Sequence, residues 1–294
     1  MERAKTRTKA PFCMRLGRFQ AGADARIGRF EGETVVDITD AVDDFQAALA
    51  DPEQAAEADG DTYSIDEITY LPPTTSQNAI FCAAVNYEAH AEEAGNVVPE
   101  RPFIFLKLPR TLVGHDEPIA FHSSVTKEID YEAELAAVIG TEARYVDADE
   151  ALDYVAGYTM LNDISARDLQ LELRAGDEVH LDWFSGKAME QTTPIGPTIA
   201  VDEIDDPQSL AIKSRVNGET LQDDNTEMMV QSVADLVSHL STRLTLHPGD
   251  VIATGTPEGV GIFKDIALQD GDVVEVEVEE LGTLSNEVEE RPAP

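Results

Sequence analysis

Past Pro72-Pro73 the chain is punctuated by short strand-like segments, apolar at residues 80–85 and 103–106 and continuing at 131–139, 157–161, 251–254 and 273–278. Runs of this length bounded by turn residues read as strands. Residues 273–278 alternate Val and Glu, the period of a strand with one wet face. Helix signals are fewer: residues 88–94, an acidic stretch at 148–154, and 166–174 behind Asp163 and Ser165 as caps. Val233, Leu236, Val237 and Leu240 add one amphipathic stripe behind a Ser232/Asp235 capping box. No βαβ rhythm opens on a phosphate loop, and residues 255–261 lack the Lys of a P-loop. The pattern predicts a β-rich α/β mixture and excludes a doubly wound sheet.

Upstream, one strand begins at Met14, a second lies at 34–38, and residues 43–66 read as an acidic helix and loop. Pro72-Pro73 marks a boundary, so the expected organisation is a small N-terminal domain over 1–73 and a main domain over 76–294. Residues 1–13 carry Arg3, Lys5, Arg7 and Lys9 against Glu2 alone. They read either as a basic extension or as an over-called start with Met14 as the true first residue. No apolar core of a secretory signal follows.

Charge narrows the partners. Of 294 residues 58 are acidic and 21 basic, a formal charge of −37, while 42% are hydrophobic, enough for a folded core. A nucleic acid or an anionic membrane would be repelled, and no apolar run approaches a membrane span. The cations are 7 Lys and 14 Arg. Acidic excess with scarce Lys suits a halophilic cytoplasm, where about 1 M salt cuts the Debye length to about 3 Å and net charge maintains solubility. A calcium-buffering protein would repeat D-x-[DN]-x-[DN]-G loops, and none occurs. Cys13 and Cys82 form no metal spacing and suit a reducing compartment.

Against that background a few residues invite chemistry. Glu132 and Glu134 stand at i and i+2, on one face of a strand, with the apolar 135–139 run behind them. In so acidic a chain a solvated strand edge is the plain explanation of such a pair. Asp163, however, terminates another apolar run, and three carboxylates at strand ends without His or Cys suit a hard ion such as Mg²⁺ or Mn²⁺. His90 and Glu93 share a helix face at i, i+3, so the carboxylate could orient the imidazole as a general base. Lys187 lies beside Trp183, Phe184 and a Gly/Pro turn, where a point charge could hold a substrate carboxylate. Arg167 and Gln170 could add further contacts, as could Thr256 in the glycine-punctuated 254–261 loop.

Taken in order, these pieces resemble the fumarylacetoacetate hydrolase family. The resemblance rests on Asn86-Tyr87-x-x-His90, Phe105-Leu-Lys107, Glu132-x-Glu134, Asn162-Asp163-x-x-x-Arg167-Asp168, Lys187 with Pro194-x-Gly-Pro197, and Pro248-Gly-Asp through Gly261. It spans roughly residues 76–280. It implies a rolled, mixed β-sheet catalytic domain beside the small N-terminal domain, usually in a homodimer. It also implies a divalent ion, usually Mg²⁺ with Mn²⁺ or Ca²⁺ as alternatives, on Glu132, Glu134 and Asp163. His90 and Glu93 match the family's water-activating pair. Arg167, Gln170, Lys187 and Thr256 fall where the family holds a keto acid.

Family members cleave, isomerise, decarboxylate or dehydrate β-diketo and 2-keto acids through a metal-stabilised enolate. The expected reaction is hydrolysis of a C–C bond in an acylpyruvate or β-diketo acid by a water activated by His90 and Glu93. The alternative is an isomerase, decarboxylase or dehydratase acting on hydroxyheptadienedioate-like, oxaloacetate-like or keto-deoxy sugar acids. Two departures border the expected pocket: Ala188-Met189-Glu190-Gln191 where many members have Ser-Phe-Asp-Thr, and Ala83-Ala84-Val85 before Asn86.

Overall fold

The computed structural model describes residues 14–175 and 178–292; the basic stretch over 1–13, with Cys13, lies outside them. A 12-stranded mixed sheet organises the molecule. From one edge its order is Thr62–Ser64, Thr34–Asp37, Asp24–Glu31, Met14–Ala21, Thr193–Val201, Val155–Asn162, Ala133–Ile139, Val251–Ala253, Ile80–Ala84 and Phe103–Lys107. Thr69–Leu71 and Leu112–Val113 pair off this path. Pairing is antiparallel except for Val251–Ala253 against Ile80–Ala84 and Thr193–Val201 against Leu112–Val113. A second, five-stranded sheet runs Glu219–Asn225, Ala211–Val216, Val273–Val278, Gly282–Glu290 and Ile119–Phe121. The β-rich mixed α/β class read from the sequence is the class observed.

The strand Ala133–Ile139 is buried on both faces, and its alternation divides the core. Leu135, Ala137 and Ile139 pack with Val276 and Val278 of the second sheet and with Leu236 and Leu240 of the helix Val233–Ser241. Ala136 and Val138 point the other way, into a cluster with Leu16, Leu49 and Ile80. A strand covered on both sides reads as a continuous apolar run. The helix Val233–Ser241 begins as its sequence dictates, with Ser232 and Asp235 each accepting the other's backbone N–H.

Several elements depart from their sequence patterns. The 148–154 stretch gives only a 3₁₀ turn, Ala151–Tyr154, and the 43–66 stretch two short helices, Phe45–Ala50 and Pro52–Glu57, capped by Asp44 and Asp51. Pro194-Ile-Gly-Pro197 is not a turn but part of the nine-residue strand Thr193–Val201. Its prolines lack ladder donors, and the register against Val155–Asn162 shifts between Tyr158 and Met160 beside them. The same strand pairs with Met14–Ala21, so the chain before Pro72 extends the large sheet. Among the described residues no helix is long and apolar enough to cross a membrane.

Candidate metal and substrate site

Strand pairing assembles the carboxylates. Ala133 is registered against Asn162, which places Glu132 and Glu134 at the end of one strand beside Asp163 at the end of its neighbour. The corner is locked by Glu132 N–H donating to the Asn162 side chain (2.9 Å) and by Asp163 N–H donating to the Glu132 carbonyl (2.9 Å). The three side chains are buried, each offering an oxygen within 4.8 Å of the others.

Three cations are buried among them. Lys187, closing the short helix Trp183–Lys187, donates to Glu132 Oε2 (2.7 Å) and Asp163 Oδ2 (2.6 Å). Lys107 takes the other Asp163 oxygen at 2.6 Å and also reaches the carbonyls of Ile164 and Thr192. Arg167 donates through Nε to Asp130 (2.8 Å), through one terminal nitrogen to Gln170 (3.0 Å) and through the other to Glu132 (2.5 Å). Burial alone would raise Glu132, but Lys187, Arg167 and His90 outweigh it and hold its pKa well below the carboxylate range. Burial likewise opposes the charge on Lys187, and Asp163 and Glu132 reverse the effect, raising its pKa.

Glu134 is the exception. It accepts from one backbone N–H, that of Gly255 at 2.8 Å. Burial, then the charges of Asp163 and Glu132, push its pKa well up. Four buried carboxylates, Asp130, Glu132, Glu134 and Asp163, thus face three buried cations, Lys107, Arg167 and Lys187. One negative charge is left uncompensated, against a wall of oxygen donors. That is the donor chemistry of a hard divalent ion, so the residues present fit the ion expected from sequence.

The triad opens into a cavity of about 420 Å³ whose wall includes His90, Glu132, Glu134, Arg167, Gln170, Lys187 and Thr256. His90 rides on the helix Glu88–Glu93, with Nδ1 3.4 Å from Glu93. Asn86 anchors that helix by donating to the carbonyls of Gln231 (2.9 Å) and Thr254 (2.8 Å). Both Glu93 oxygens lie 3.1 Å from the Gly259 N–H. The glycines of the 254–261 loop matter here. Gly255 and Gly259 hold φ of +90° and +97°, and a Cβ on either would collide with its neighbours. Their amides can therefore turn toward Glu134 and Glu93.

All nine residues singled out by sequence converge on this corner. Three others were not assigned a part. Lys107 was visible in its motif, and the rarity of lysine that marked Lys187 applies equally to it. Asp130 and Gln222 gave no sequence signal. Gln222 lies on Glu219–Asn225 of the second sheet, accepts from Ala133 N–H (3.0 Å), and donates to Thr256 Oγ1 and the Pro257 carbonyl (2.8 Å each). Because Ala133 N–H can only donate and Pro257 O only accept, the amide orientation is fixed. Thr256 Oγ1 accepts that bond, so its own proton is free to be offered to the cavity.

A cavity that joins buried carboxylates to a His–Glu pair and an apolar mouth is the kind of site an enzyme uses, with an acidic triad that could hold a metal ion. Residues 79–289 match the fumarylacetoacetate (FAA) hydrolase C-terminal family, and the chain belongs to the fumarylacetoacetate hydrolase family. It is 37% identical over 271 residues to the mitochondrial oxaloacetate tautomerase FAHD2A of Homo sapiens, covering 91% of this chain and 84% of that one. It superposes on 5-carboxymethyl-2-hydroxymuconate delta-isomerase from Mycobacterium smegmatis with a TM-score of 0.76 and 33% identity, covering 95% of this chain and 99% of the other. The fumarylpyruvate hydrolase of Pseudomonas aeruginosa, solved with Mn²⁺ and pyruvate, gives 0.66 and 34% over 73% and 90% of the two chains. Relatives of this chain thus include hydrolases, isomerases and tautomerases.

Proposed function

We propose that this protein is a divalent-metal-dependent hydrolase that cleaves a C–C bond in an acylpyruvate or related β-diketo acid. The observation that carries the reading is that His90, in contact with Glu93, lines the same cavity as Glu132 and Glu134 of the uncompensated carboxylate cluster. Glu132, Glu134 and Asp163 would hold a hard ion such as Mg²⁺ or Mn²⁺, which would supply Lewis acidity for the developing enolate.

This chain's own residues do the rest. Two guanidinium N–H groups of Arg167 remain beyond its three internal bonds, and with the Lys187 ammonium and the Thr256 hydroxyl they orient the anion. Glu93 holds the imidazole while His90 takes a proton from water. The water oxygen bonds to the distal carbonyl carbon, the bond to C3 breaks, and its electron pair passes into the pyruvate enolate. A proton returned to C3 gives pyruvate and releases the distal fragment as a carboxylic acid.

A second reading, enol–keto isomerisation, decarboxylation or dehydration through the same enolate, is favoured by likeness to the human tautomerase and the mycobacterial isomerase. His90→Ala separates them. Assayed with Mg²⁺ and Mn²⁺ in concentrated KCl, it should lose acylpyruvate hydrolysis by a factor of about 100 or more and retain oxaloacetate tautomerisation. Hydrolysis at wild-type rate would remove His90 from water activation. We extend the proposal to a homodimer in a salt-rich cytoplasm. The edge strand Phe103–Lys107 leaves Leu106 exposed beside Leu108, an apolar edge of the kind proteins cover. Light scattering in KCl would show a monomer if this is wrong.

A further inference from the structure

The two ends of the 420 Å³ cavity differ in kind. The inner end is the charged cluster. Outward the wall turns apolar apart from Asn96, with Pro99, Phe105 and Trp183 leading to a solvent-facing rim of Val97, Phe103 and Leu181. Trp183 stacks on Phe105 with centroids 4.8 Å apart, and Phe103 meets its edge at 5.4 Å, forming an aromatic slab. Among the described residues that line the cavity, the only lysine or arginine side chains are Arg167 and Lys187. Both lie at the inner end and both are bonded to buried carboxylates. Arg101 lines a different groove, which shares only Pro99 and Phe103 with this one.

A second carboxylate at the distal end of a substrate would therefore meet no cation there, only the Asn96 amide among aromatic and aliphatic walls. Desolvating an unpaired charge is expensive, and concentrated salt, which screens the chain's −37 charge, does not supply the missing hydrogen bonds. An alkyl or aryl group in the same place gains from burial and from stacking on the slab.

We infer that the substrate is a 2-oxo acid with an apolar distal group, an alkyl- or aryl-acylpyruvate, and that this chain discriminates against ω-carboxylate substrates of the fumarylpyruvate type. The inference rests on the proposed enolate chemistry and deepens it. It is tested with the full chain, Mn²⁺ and KCl on benzoylpyruvate and hexanoylpyruvate against fumarylpyruvate and succinylpyruvate. Product formation and exchange of the C3 protons for deuterium are both followed.

The expected result is a kcat/KM for the apolar pair at least about 100-fold above that for the dicarboxylates. Leu181→Arg, which puts a cation on the apolar rim, should narrow that ratio at least about tenfold by improving the dicarboxylates. Dicarboxylates processed as well as or better than the apolar pair, with Leu181→Arg leaving the ratio unchanged, would overturn the inference and leave the enolate reading standing. Absence of both turnover and C3 exchange on all four compounds, and on pyruvate itself, would sink the enolate reading and the inference with it.

Discussion

Two glutamate pairs of this protein share a spacing of two residues and do opposite things with it. Glu275 and Glu277 alternate with Val274, Val276 and Val278 on the strand Val273–Val278, and only the valines are fully buried. Glu277 meets Arg215 across the ladder at 2.7 Å and stays 40% exposed. Glu132 and Glu134 have the same spacing, yet both are buried, one ringed by cations and the other nearly partnerless. Spacing alone decides which face a side chain shares. Whether that face is wet depends on what covers it: solvent in one case, Lys187, Arg167 and the glycine loop in the other.

The sharpest way to break this comparison is to delete one member of each pair. Glu132→Ala removes a proposed metal ligand and an anchor of both Lys187 and Arg167. Mn²⁺ affinity, followed by the electron paramagnetic resonance of free Mn²⁺, should fall by more than about 100-fold, the upper end for losing even an outer-shell partner. Turnover should fall with it. Glu275→Ala should leave both within about twofold. Equal effects at the two sites would mean that the buried pair is structural only.

Glu134 sharpens the contrast through pH. Its pKa is raised because burial and the neighbouring Asp163 and Glu132 oppose its charge. For an acid shifted upward, the folded state is penalised as pH climbs from the ordinary carboxylate value to the raised one, and the whole penalty persists above it. Metal-free protein should therefore lose stability over that window, and Mg²⁺ should restore it by about 2.7 kcal/mol at 100 Kd. Glu134→Gln should remove the pH-dependent part and most of the Mg²⁺ response. Thermal unfolding at several pH values, with and without Mg²⁺ at fixed KCl, measures this. An unchanged Mg²⁺ response in the variant would contradict the assignment.

Much of this site was legible before any coordinates, for a physical reason. The proposed metal ligands, base and orienting acid belong to the few residue types that chemistry allows, and the segments carrying them keep a recognisable order. Glu132, Glu134, Asp163, His90 and Lys187 could be picked out on that ground. Gln222 could not, because its part lies in a relation between two sheets. On its own strand it is one polar residue followed by Asp223 and Asp224. The strand Thr193–Val201 was missed for a similar reason. Its prolines signal a turn locally, and only its pairing with Met14–Ala21 and Val155–Asn162 makes the segment extended.

That hidden relation makes a smaller prediction. If Gln222 makes Thr256 a donor toward the substrate, Thr256→Val should raise KM about tenfold, near the upper end for one neutral hydrogen bond. Gln222→Leu should raise KM in the native background but add little in the Thr256→Val background. Independent, additive losses in KM would show that Gln222 merely supports the fold.

The smallest effect belongs to the exposed pair. Arg215 and Glu277 form a short contact, and by distance it matches the bonds around Glu132. Side chains this open to water exchange hydration for little gain, so the pair should contribute only about 0.2–1 kcal/mol. In concentrated KCl the contribution should shrink toward zero, since about 1 M salt screens such charges beyond about 3 Å. A double-mutant cycle of Arg215→Ala and Glu277→Ala, followed by chemical denaturation at low and high KCl, reads the coupling directly. A coupling that persists undiminished in concentrated salt would mean that the second sheet also holds a desolvated charge pair. The difference between the two glutamate pairs would then be one of degree and no longer one of environment.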